Sequence, residues 1–348
     1  MRYFRQFGGK VSTALKDTYS RSPQWKKKKF YNFERTGVDI RPWNVPKLIY
    51  RQIFDRKGRI PTKPLPVVVF DKEAFLAPSD KAKMIWFGHS VVLLRVDNKT
   101  ILIDPMFGPN AAPVAPFSVA RFSENTLAII DELPEIDLML LTHDHYDHLD
   151  LASMEKLMPK INNYYVALGA ARHLVKWGVS NDQISEFDWW EDRLFEGIKI
   201  TYTPTRHASG RAIRDQSCCL WGGWSIQSSN EKIWFSGDGG YGDHFKEIGE
   251  RLGPFDFAFM ECGQYNVLWH DIHLYPEESV QAAKDVDVRT IMPVHWAGFA
   301  LAMHHWKEPV ERFSAEAKKQ SQAFIIPEIG ELFNLNSKSN KNWWKELS

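Results

Sequence analysis

Thr142-His143-Asp144-His145-Tyr146-Asp147-His148-Leu149 is the stretch that decides the fold of this 348-residue chain. It directly follows the apolar run 138–141, which predicts a buried strand that ends in a polar loop. Imidazole and carboxylate groups are zinc ligands, and zinc commonly binds four ligands. A tight loop cannot wrap all of these side chains around one ion. The alternation of histidines with the closing Asp-His pair therefore predicts two ions that share one loop.

The HxHxDH spacing of residues 143–148 is the signature of the metallo-β-lactamase superfamily, and the chain resembles that superfamily. The resemblance implies three further ligands, each after a strand: His207 in YTPTRHASG, Asp238 in WFSGDGGYG and His295 in MPVHWAGF. It implies that one zinc is bound by His143, His145 and His207. The second zinc is then bound by Asp147, His148 and His295, and Asp238 bridges the two ions.

Such a dinuclear site explains the choice of residues. Two zinc ions about 3.5–4 Å apart bind a water molecule between them and lower its pKa towards neutrality, so that it forms a bridging hydroxide. The resemblance assigns Asp147 and Asp238 to catalysis as well as to metal binding. Ligand imidazoles need an outer hydrogen-bond acceptor that fixes their tautomer, and Asp104 in LIDP is the expected one. The alternative for Asp104 is an ordinary turn before Pro105.

Residues from about 86 to 309 also resemble a narrower family, the N-acylphosphatidylethanolamine-hydrolysing phospholipases D and their bacterial relatives. The segments that carry this resemblance include FDWWED at 187–192, SGDGGYGDHFKEIGERLGPFD at 236–256 and PVHWAGFALA at 293–302. They are more specific than the superfamily motif. The resemblance implies an α/β fold, an αβ/βα sandwich of two mostly antiparallel sheets with helices outside. It also implies a zinc-dependent phosphodiesterase that hydrolyses N-acylphosphatidylethanolamine-like phospholipids with a metal-bound hydroxide.

The narrower resemblance implies substrate contacts in addition to the metals. His273 matches a histidine near the substrate phosphate, where a hydrogen-bond donor would stabilise developing charge, so it is assigned to catalysis and to substrate binding. His89 is expected to line the mouth of the site, and a structural role is its alternative. Tyr146 and Tyr265 are expected to contact the substrate, and packing is the alternative for Tyr146. Glu261 departs from the family pattern, in which an apolar or small residue is expected at this position. A carboxylate beside a phosphodiester would repel it.

The sequence divides into a basic, proline-studded N-terminal extension, residues 1–80, and a catalytic domain, residues 81–348. The extension predicts one or two short amphipathic helices and then an extended arm that packs on or near the domain. Residues 83–105 predict an antiparallel meander with a turn at Asp97-Asn98. Further strands are predicted at 198–203, 223–227, 233–236, 257–260 and 290–294. Helices are predicted at 151–158, 170–177, 245–252, 277–286 and 310–318.

Charge is distributed unevenly along the chain. Residues 1–60 contain 16 Lys and Arg against 4 Asp and Glu, whereas the remaining residues contain 28 against 39. The run Lys26–Lys29, between Trp25 and Phe30, predicts peripheral contact with an anionic membrane, to which each lysine contributes about 1 kcal/mol. The alternative is that these lysines cover acidic surface of the catalytic domain. No apolar stretch reaches about 18 residues, so we expect a cytoplasmic protein, either free or peripheral at a membrane.

Other functions stay open at this stage. A lactonase or phosphate-ester hydrolase acting on a small soluble substrate needs a small polar pocket, whereas a lipid enzyme needs a wide apolar groove beside the metals. A non-catalytic binding protein is disfavoured because all seven ligand positions hold ligand residues. Nucleic-acid processing is disfavoured because no RNA-binding module is recognisable. Iron or manganese would also bind a His and Asp set, and a homo-oligomer is compatible with the sequence.

Overall fold

The computed structural model describes residues 2–39, 41–112, 118–337 and 341–347, and two seven-stranded sheets form its centre. The first sheet contains, in spatial order, β16 (Leu332–Phe333), β3 (Lys83–Trp86), β4 (Val92–Val96), β5 (Lys99–Ile103), β6 (Ile136–Leu141), β7 (Ile161–Ala167) and β8 (Ile184–Phe187). The second contains β15 (Ala323–Phe324), β14 (Val288–Val294), β13 (Phe255–Glu261), β12 (Lys232–Phe235), β11 (Gly222–Gln227), β10 (Ile198–Pro204) and β9 (Asp192–Phe195). A separate hairpin is formed by β1 (Trp25–Lys26) and β2 (Lys29–Phe30).

Ten α-helices lie in the described residues. They are α1 (Arg2–Arg5), α2 (Thr13–Tyr19), α3 (Val45–Phe54), α4 (Lys72–Leu76), α5 (Thr126–Glu132), α6 (Leu151–Leu157), α7 (Ala171–Trp177), α8 (His244–Leu252), α9 (Pro276–Asp285) and α10 (Glu308–Lys319). The strands and helices predicted in the catalytic domain are confirmed to within two residues at each end. The meander is confirmed too, and its turn residues Asp97 and Asn98 have positive φ values of 45° and 62°.

The predicted sandwich is confirmed, but the description of its sheets as mostly antiparallel is wrong. In each sheet three of the six strand pairs are parallel. Parallel neighbours need a long crossover, and a helix supplies each one. In the first sheet α5, α6 and α7 connect β5 to β8, and in the second α8, α9 and α10 connect β12 to β15.

This topology gathers the predicted site residues at one edge of the sandwich. The carboxyl ends of parallel strands meet at the same edge of a sheet, where loops leave the strands. Asp104 follows β5, His143 follows β6 and His295 follows β14. The strands themselves are apolar and buried, as in residues 138–141 of β6, so the loop positions are fixed from below by the core.

The N-terminal extension packs against the catalytic domain. The Trp177 indole N–H donates to the Arg5 carbonyl at 2.7 Å, and the ring of Phe33 lies 4.6 Å from that of Trp189. Leu65 and the α4 residue Phe75 are buried in the core. The division at residue 80 stays a prediction. Within the described residues, no helix combines the length and the apolar character that crossing a membrane requires.

Candidate metal centre

The loop that follows β6 is fixed by Asp104 at the end of the neighbouring strand. Asp104 Oδ1 accepts a hydrogen bond from the backbone N–H of Thr142 at 2.9 Å, and its Oδ2 accepts one from the Thr142 hydroxyl at 2.7 Å. The loop then turns tightly, because the backbone N–H groups of His148 and Leu149 both donate to the His145 carbonyl. The carboxylate and the turn together hold the loop ligands at the end of the sheet.

The structure brings the seven predicted ligands into one cluster. The three that are distant in sequence, His207, Asp238 and His295, meet the 143–148 loop. Within each group of possible ligands, the donor atoms lie within 4.8 Å of one another. The cluster is buried except for His145 and Asp147, which are half-buried.

We call His143, His145 and His207 the first half-site. His143 Nε2 lies 2.9 Å from His145 Nδ1, and His207 Nε2 lies 3.3 Å from the same atom. The outer partners are neutral: the Thr142 hydroxyl is 3.0 Å from His143 Nδ1, and the Ile272 carbonyl is 2.9 Å from His207 Nδ1. Burial, reinforced by neighbouring histidines, lowers the pKa of His143 and of His207 well below the ordinary value. Their rings are therefore neutral and keep a lone pair for a metal ion.

We call Asp147, His148 and His295 the second half-site, and Asp238 lies between the two. Asp238 Oδ2 is 3.0 Å from His148 Nε2 and 3.1 Å from His295 Nε2. Asp147 Oδ2 is 3.3 Å from His295 Nε2. Burial opposes charge on both histidines, but the adjacent carboxylates outweigh it. They raise the pKa of His148 well above its ordinary range and that of His295 to about 10.

Carboxylates also lie behind the second half-site. Asp104 Oδ2 is 2.7 Å from His148 Nδ1, and Glu261 Oε1 is 3.3 Å from His295 Nδ1. An acceptor at one imidazole nitrogen fixes the tautomer that leaves the other nitrogen for a metal ion. Asp104 thus lies where the sequence predicts the outer carboxylate.

The donor set fits divalent metal ions. A tetrahedral zinc site with bonds of about 2.0–2.1 Å places its ligand atoms about 3.3 Å apart. The donor spacings are 2.9 and 3.3 Å in the first half-site, and 3.3 and 3.7 Å from Asp147 to His295 and His148 in the second. Because His143 Nε2 and His145 Nδ1 face each other, at most one proton fits between them and at least one lone pair points into the cluster. These residues can therefore bind metal.

His89 does not line the mouth of the site, contrary to the prediction. Its side chain is fully buried, and its Nε2 lies 3.0 Å from Asp147 Oδ2. The reason is local pairing, since the backbone N–H of His89 donates to the Trp296 carbonyl at 2.9 Å and holds the residue beneath the cluster. Burial and the nearby His295 lower the pKa of His89 to about 3, so a neutral ring donates to Asp147.

Tyr146 and Tyr265 also lie away from the cavity beside the cluster. The Tyr146 hydroxyl donates to the Arg211 carbonyl at 2.8 Å, and the Arg211 guanidinium stacks over its ring at 4.0 Å. The Tyr265 hydroxyl donates to Glu308 at 2.7 Å, and its ring stacks on that of His304 at 4.4 Å. Neither tyrosine lines the cavity, so the packing alternative describes Tyr146, and the expected substrate contact of Tyr265 is not found.

A cavity of about 270 Å³ opens over the cluster. Its polar residues are His145, Asp147, Asp238, Gln264, His273 and His295, most of which form the floor. Its apolar wall comprises Val38, Trp269, Ile272 and Leu301. His273 therefore lies beside the cluster as expected, with its ring stacked 5.3 Å from that of His295. Val38 shows that the N-terminal extension forms part of the wall.

Glu261 has a role that the sequence reasoning missed. It is fully buried at the end of β13, and its Oε1 contacts Nδ1 of both His273 and His295. Its Oε2 accepts a hydrogen bond from the Gly239 backbone N–H at 2.6 Å. The Glu261 oxygens thus face these groups, and Glu261 is absent from the residues that line the cavity beside the cluster. The sequence signal that could have identified Glu261 is its position at the end of an apolar strand, where other site residues also lie.

Two amide side chains that hold the site were also missed. Asn32 accepts a hydrogen bond from the His207 backbone N–H at 3.1 Å and donates to the His207 carbonyl at 2.8 Å. The Gln264 side-chain oxygen accepts from the backbone N–H groups of Leu301 and Ala302, each at 2.9 Å. Their partners lie far away in sequence, so no local pattern identifies either residue.

Comparison with known proteins agrees with this geometry. The β-lactamase superfamily domain matches residues 99–296, which is more than half of the chain. The chain belongs to this superfamily. The superfamily prediction is thus confirmed, and the protein is a metal-dependent hydrolase of the metallo-β-lactamase fold.

Individual relatives extend the match. An uncharacterized protein of Mycobacterium tuberculosis is 31% identical over 343 residues, covering 97% of this chain and 91% of the relative. An N-acyl-phosphatidylethanolamine-hydrolyzing phospholipase D of Caenorhabditis elegans is 28% identical over 271 residues, covering 73% of this chain and 76% of that protein. A metallo hydrolase from Ignicoccus hospitalis superposes with a TM-score of 0.57 at 20% identity, covering 74% of this chain and 100% of that one, which shows the shared fold.

Proposed function

We propose that this superfamily member is a phosphodiesterase of phospholipase D type that hydrolyses N-acylphosphatidylethanolamine-like phospholipids with two zinc ions. The observation that carries the proposal is the cavity, whose floor is the ligand cluster and whose wall is apolar. A phosphodiester headgroup would lie on the floor, and the alkyl part of the substrate would contact the wall. The similarity to the nematode phospholipase D supports the same substrate class.

The bound ions would supply an activated water and stabilise the charge that develops on phosphorus. The protein's own residues position the proton donor. Because the Glu261 carboxylate accepts from Nδ1 of His273, the ring presents Nε2 to the substrate. In the imidazolium form Nε2 donates to a phosphate oxygen or passes its proton to the leaving oxygen. The water oxygen bonds to phosphorus, the bond to the ethanolamine oxygen breaks, and that oxygen takes up a proton. The products are phosphatidic acid and an N-acylethanolamine.

The remaining residues of the site exclude water and hold the carboxylates. Trp269, Ile272 and Leu301 form an apolar wall that keeps bulk water from the reacting phosphate. Neutral His89 donates to Asp147 and fixes its orientation. The apolar wall also argues against the alternative, a lactonase or phosphate-ester hydrolase for a small soluble substrate, which needs a polar pocket.

The test is a substrate comparison on one purified, zinc-loaded sample with its metal content measured. We expect turnover of an N-acylphosphatidylethanolamine and of a short-chain phosphodiester, with little hydrolysis of a lactone or a chromogenic β-lactam. Rapid lactone hydrolysis without phosphodiester turnover would favour the small-substrate alternative. Rapid β-lactam hydrolysis without phosphodiester turnover would contradict the proposal.

A further inference from the structure

The surface around helix α3 exposes an unusual number of aromatic side chains. Trp43, Tyr50 and Phe54 are 70%, 63% and 68% exposed, and Val45 and Ile49 are each more than one-third exposed. Tyr50 and Phe54 lie one turn apart with their rings 4.9 Å from each other. A surface helix usually points polar residues outward, so an aromatic outer face marks an interaction surface.

The helix is firmly attached to the catalytic domain through its inner face. The Gln52 amide donates to the Ala300 carbonyl at 2.9 Å. Buried Arg59, just after the helix, donates to the carbonyls of Ala302 at 3.0 Å and Asp55 at 3.0 Å. The outward aromatic side chains are therefore a property of a fixed element.

These contacts place α3 beside the mouth of the cavity. Leu301 lies between the two residues whose carbonyls anchor the helix, and its side chain forms part of the cavity wall. Other apolar side chains at this mouth are exposed as well, including Val38 on the cavity wall and Val267 on the adjoining groove. The helix is thus attached to the segment that supplies Leu301 to the cavity wall.

Basic residues surround the aromatic face. Residues 41–57 contain five Lys and Arg and a single acidic residue, Asp55. Within the described part of the chain, no ion pair involves Lys47, Arg56 or Lys57. Trp and Tyr favour the headgroup level of a membrane, while Lys and Arg attract anionic headgroups. An amphipathic helix with both features is typical of attachment in the plane of a bilayer.

We infer that the α3 surface, defined by Trp43, Tyr50 and Phe54 with Lys47, Arg56 and Lys57, docks on an anionic phospholipid bilayer. The inference deepens the proposed function and rests on it, because docking on a bilayer would bring a phospholipid substrate close to the cavity.

The hairpin lysines fit this role less well than the sequence suggested. Lys26–Lys29 are exposed, but Phe30 is buried and Trp25 packs on Tyr19 with ring centroids 5.2 Å apart. Phe30 is therefore not available to reach the headgroups. Within the described residues no ion pair involves the four lysines, so the acidic-surface alternative finds no support either. The hairpin offers four charges, and the exposed aromatic ring next to it is that of Tyr31, 42% exposed.

Vesicle sedimentation of the full-length, metal-loaded protein tests the α3 surface. Vesicles of phosphatidylcholine with phosphatidylglycerol contain no proposed substrate and report docking alone, and phosphatidylcholine vesicles are the uncharged reference. Replacing Trp43, Tyr50 and Phe54 with Ser should weaken binding to the anionic vesicles by roughly tenfold or more. The matched control replaces Val69, Leu194 and Ile213, which are 88%, 69% and 96% exposed on other segments, and should bind like the native protein.

A second variant keeps the test valid if the aromatic variant folds poorly. Lys47→Gln with Arg56→Gln and Lys57→Gln should weaken binding to anionic vesicles and remove most of its salt dependence. Unchanged vesicle binding in both variants would overturn the inference. It is also overturned if the native protein ignores anionic vesicles at low salt, or if the aromatic variant changes only self-association, which would make α3 a protein interface.

Hydrolysis of a water-soluble short-chain phosphodiester separates this inference from the proposed function. It should be equal in the native protein and in all variants, because none of these residues lies in the cavity. Docking through α3 without any phosphodiester turnover would support the docking inference and contradict the proposed function. Turnover without docking would support the proposed function and overturn the docking inference.

Discussion

The two half-sites of the cluster are built from similar ligands but have different surroundings. Neutral groups, the Thr142 hydroxyl and the Ile272 carbonyl, lie behind the first half-site. Carboxylates, Asp104 and Glu261, lie behind the second. Burial, reinforced by neighbouring histidines, keeps the His143 and His207 imidazoles neutral, whereas neighbouring carboxylates favour protonated imidazoles in the second half-site. Similar ligands therefore need not bind two ions equally, because the outer contacts decide whether a metal ion must displace a proton from the imidazole.

The largest effect is expected at the residue that joins the half-sites. Asp238→Asn makes the shared carboxylate neutral, which weakens both predicted metal positions, so turnover should fall by orders of magnitude. The measurement is phosphodiester turnover together with zinc content and thermal unfolding. Asp131→Asn is the matched control, because this aspartate forms only exposed contacts with Lys156 and Lys160. Turnover within a few-fold of native in Asp238→Asn would remove Asp238 from the bridge.

Glu261→Gln should weaken the second half-site selectively. A neutral amide holds the Nδ1 protons of His295 and His273 less well, and loss of such an outer partner costs roughly 10- to 100-fold in metal affinity. Competition with a chelator should show one weakened ion and one unchanged ion. Glu278→Gln is a close control, because Glu278 also accepts from a histidine ring and from a backbone N–H, at His270 and Tyr275. Equal weakening of both ions would show that the half-sites do not differ in this way.

The pH dependence of metal binding should distinguish the half-sites next. In metal-free protein the pKa of His295 is about 10, so below that pH a metal ion must displace its proton. Affinity at the second half-site should therefore rise by about tenfold per pH unit for each proton displaced, between roughly pH 6 and roughly pH 8. Affinity at the first should stay flat, because burial already keeps the pKa of His143 and His207 low. Zinc titrations across this range measure both, and parallel curves would contradict the comparison.

The smallest effect is expected at Tyr146, which lies between the half-sites in sequence but contacts Arg211 instead of the cavity. Tyr146→Phe removes the hydrogen bond to the Arg211 carbonyl and should lower the free energy of unfolding by about 1 kcal/mol. Turnover and zinc content should change less than a few-fold. Denaturant unfolding and steady-state rates check this, and a large rise in KM would restore Tyr146 as a substrate contact.

The fold and the full membership of the cluster were predicted through the resemblance that the 143–148 motif carries, and that resemblance has a physical basis. Ligands that follow apolar strands in a fixed order are local signals, and strand ends determine where the side chains meet. Contacts between remote segments give no such signal. Asn32 holds His207 from the N-terminal extension, and His89 lies beneath Asp147 because it pairs with Trp296. The parallel strand pairs depend on helical crossovers, and strand patterns alone did not reveal them.

The charge of a residue was also a poor guide to its role when its partners were unknown. Glu261 indicated repulsion of the substrate, yet its oxygens are occupied by His273, His295 and Gly239. The hairpin lysines indicated the membrane contact, yet Trp43, Tyr50 and Phe54 at α3 are more exposed than Tyr31 beside the hairpin. In both cases burial, which sequence does not show, decides the outcome.

The central claim is that two metal ions, one in each half-site, are needed for phosphodiester hydrolysis. Zinc titration of the metal-free protein, with phosphodiester turnover followed at each step, tests it most directly. The account predicts that turnover stays low until the second ion binds and reaches its plateau at two zinc ions per chain. Full turnover at one ion per chain, or no turnover at any zinc content, would contradict it.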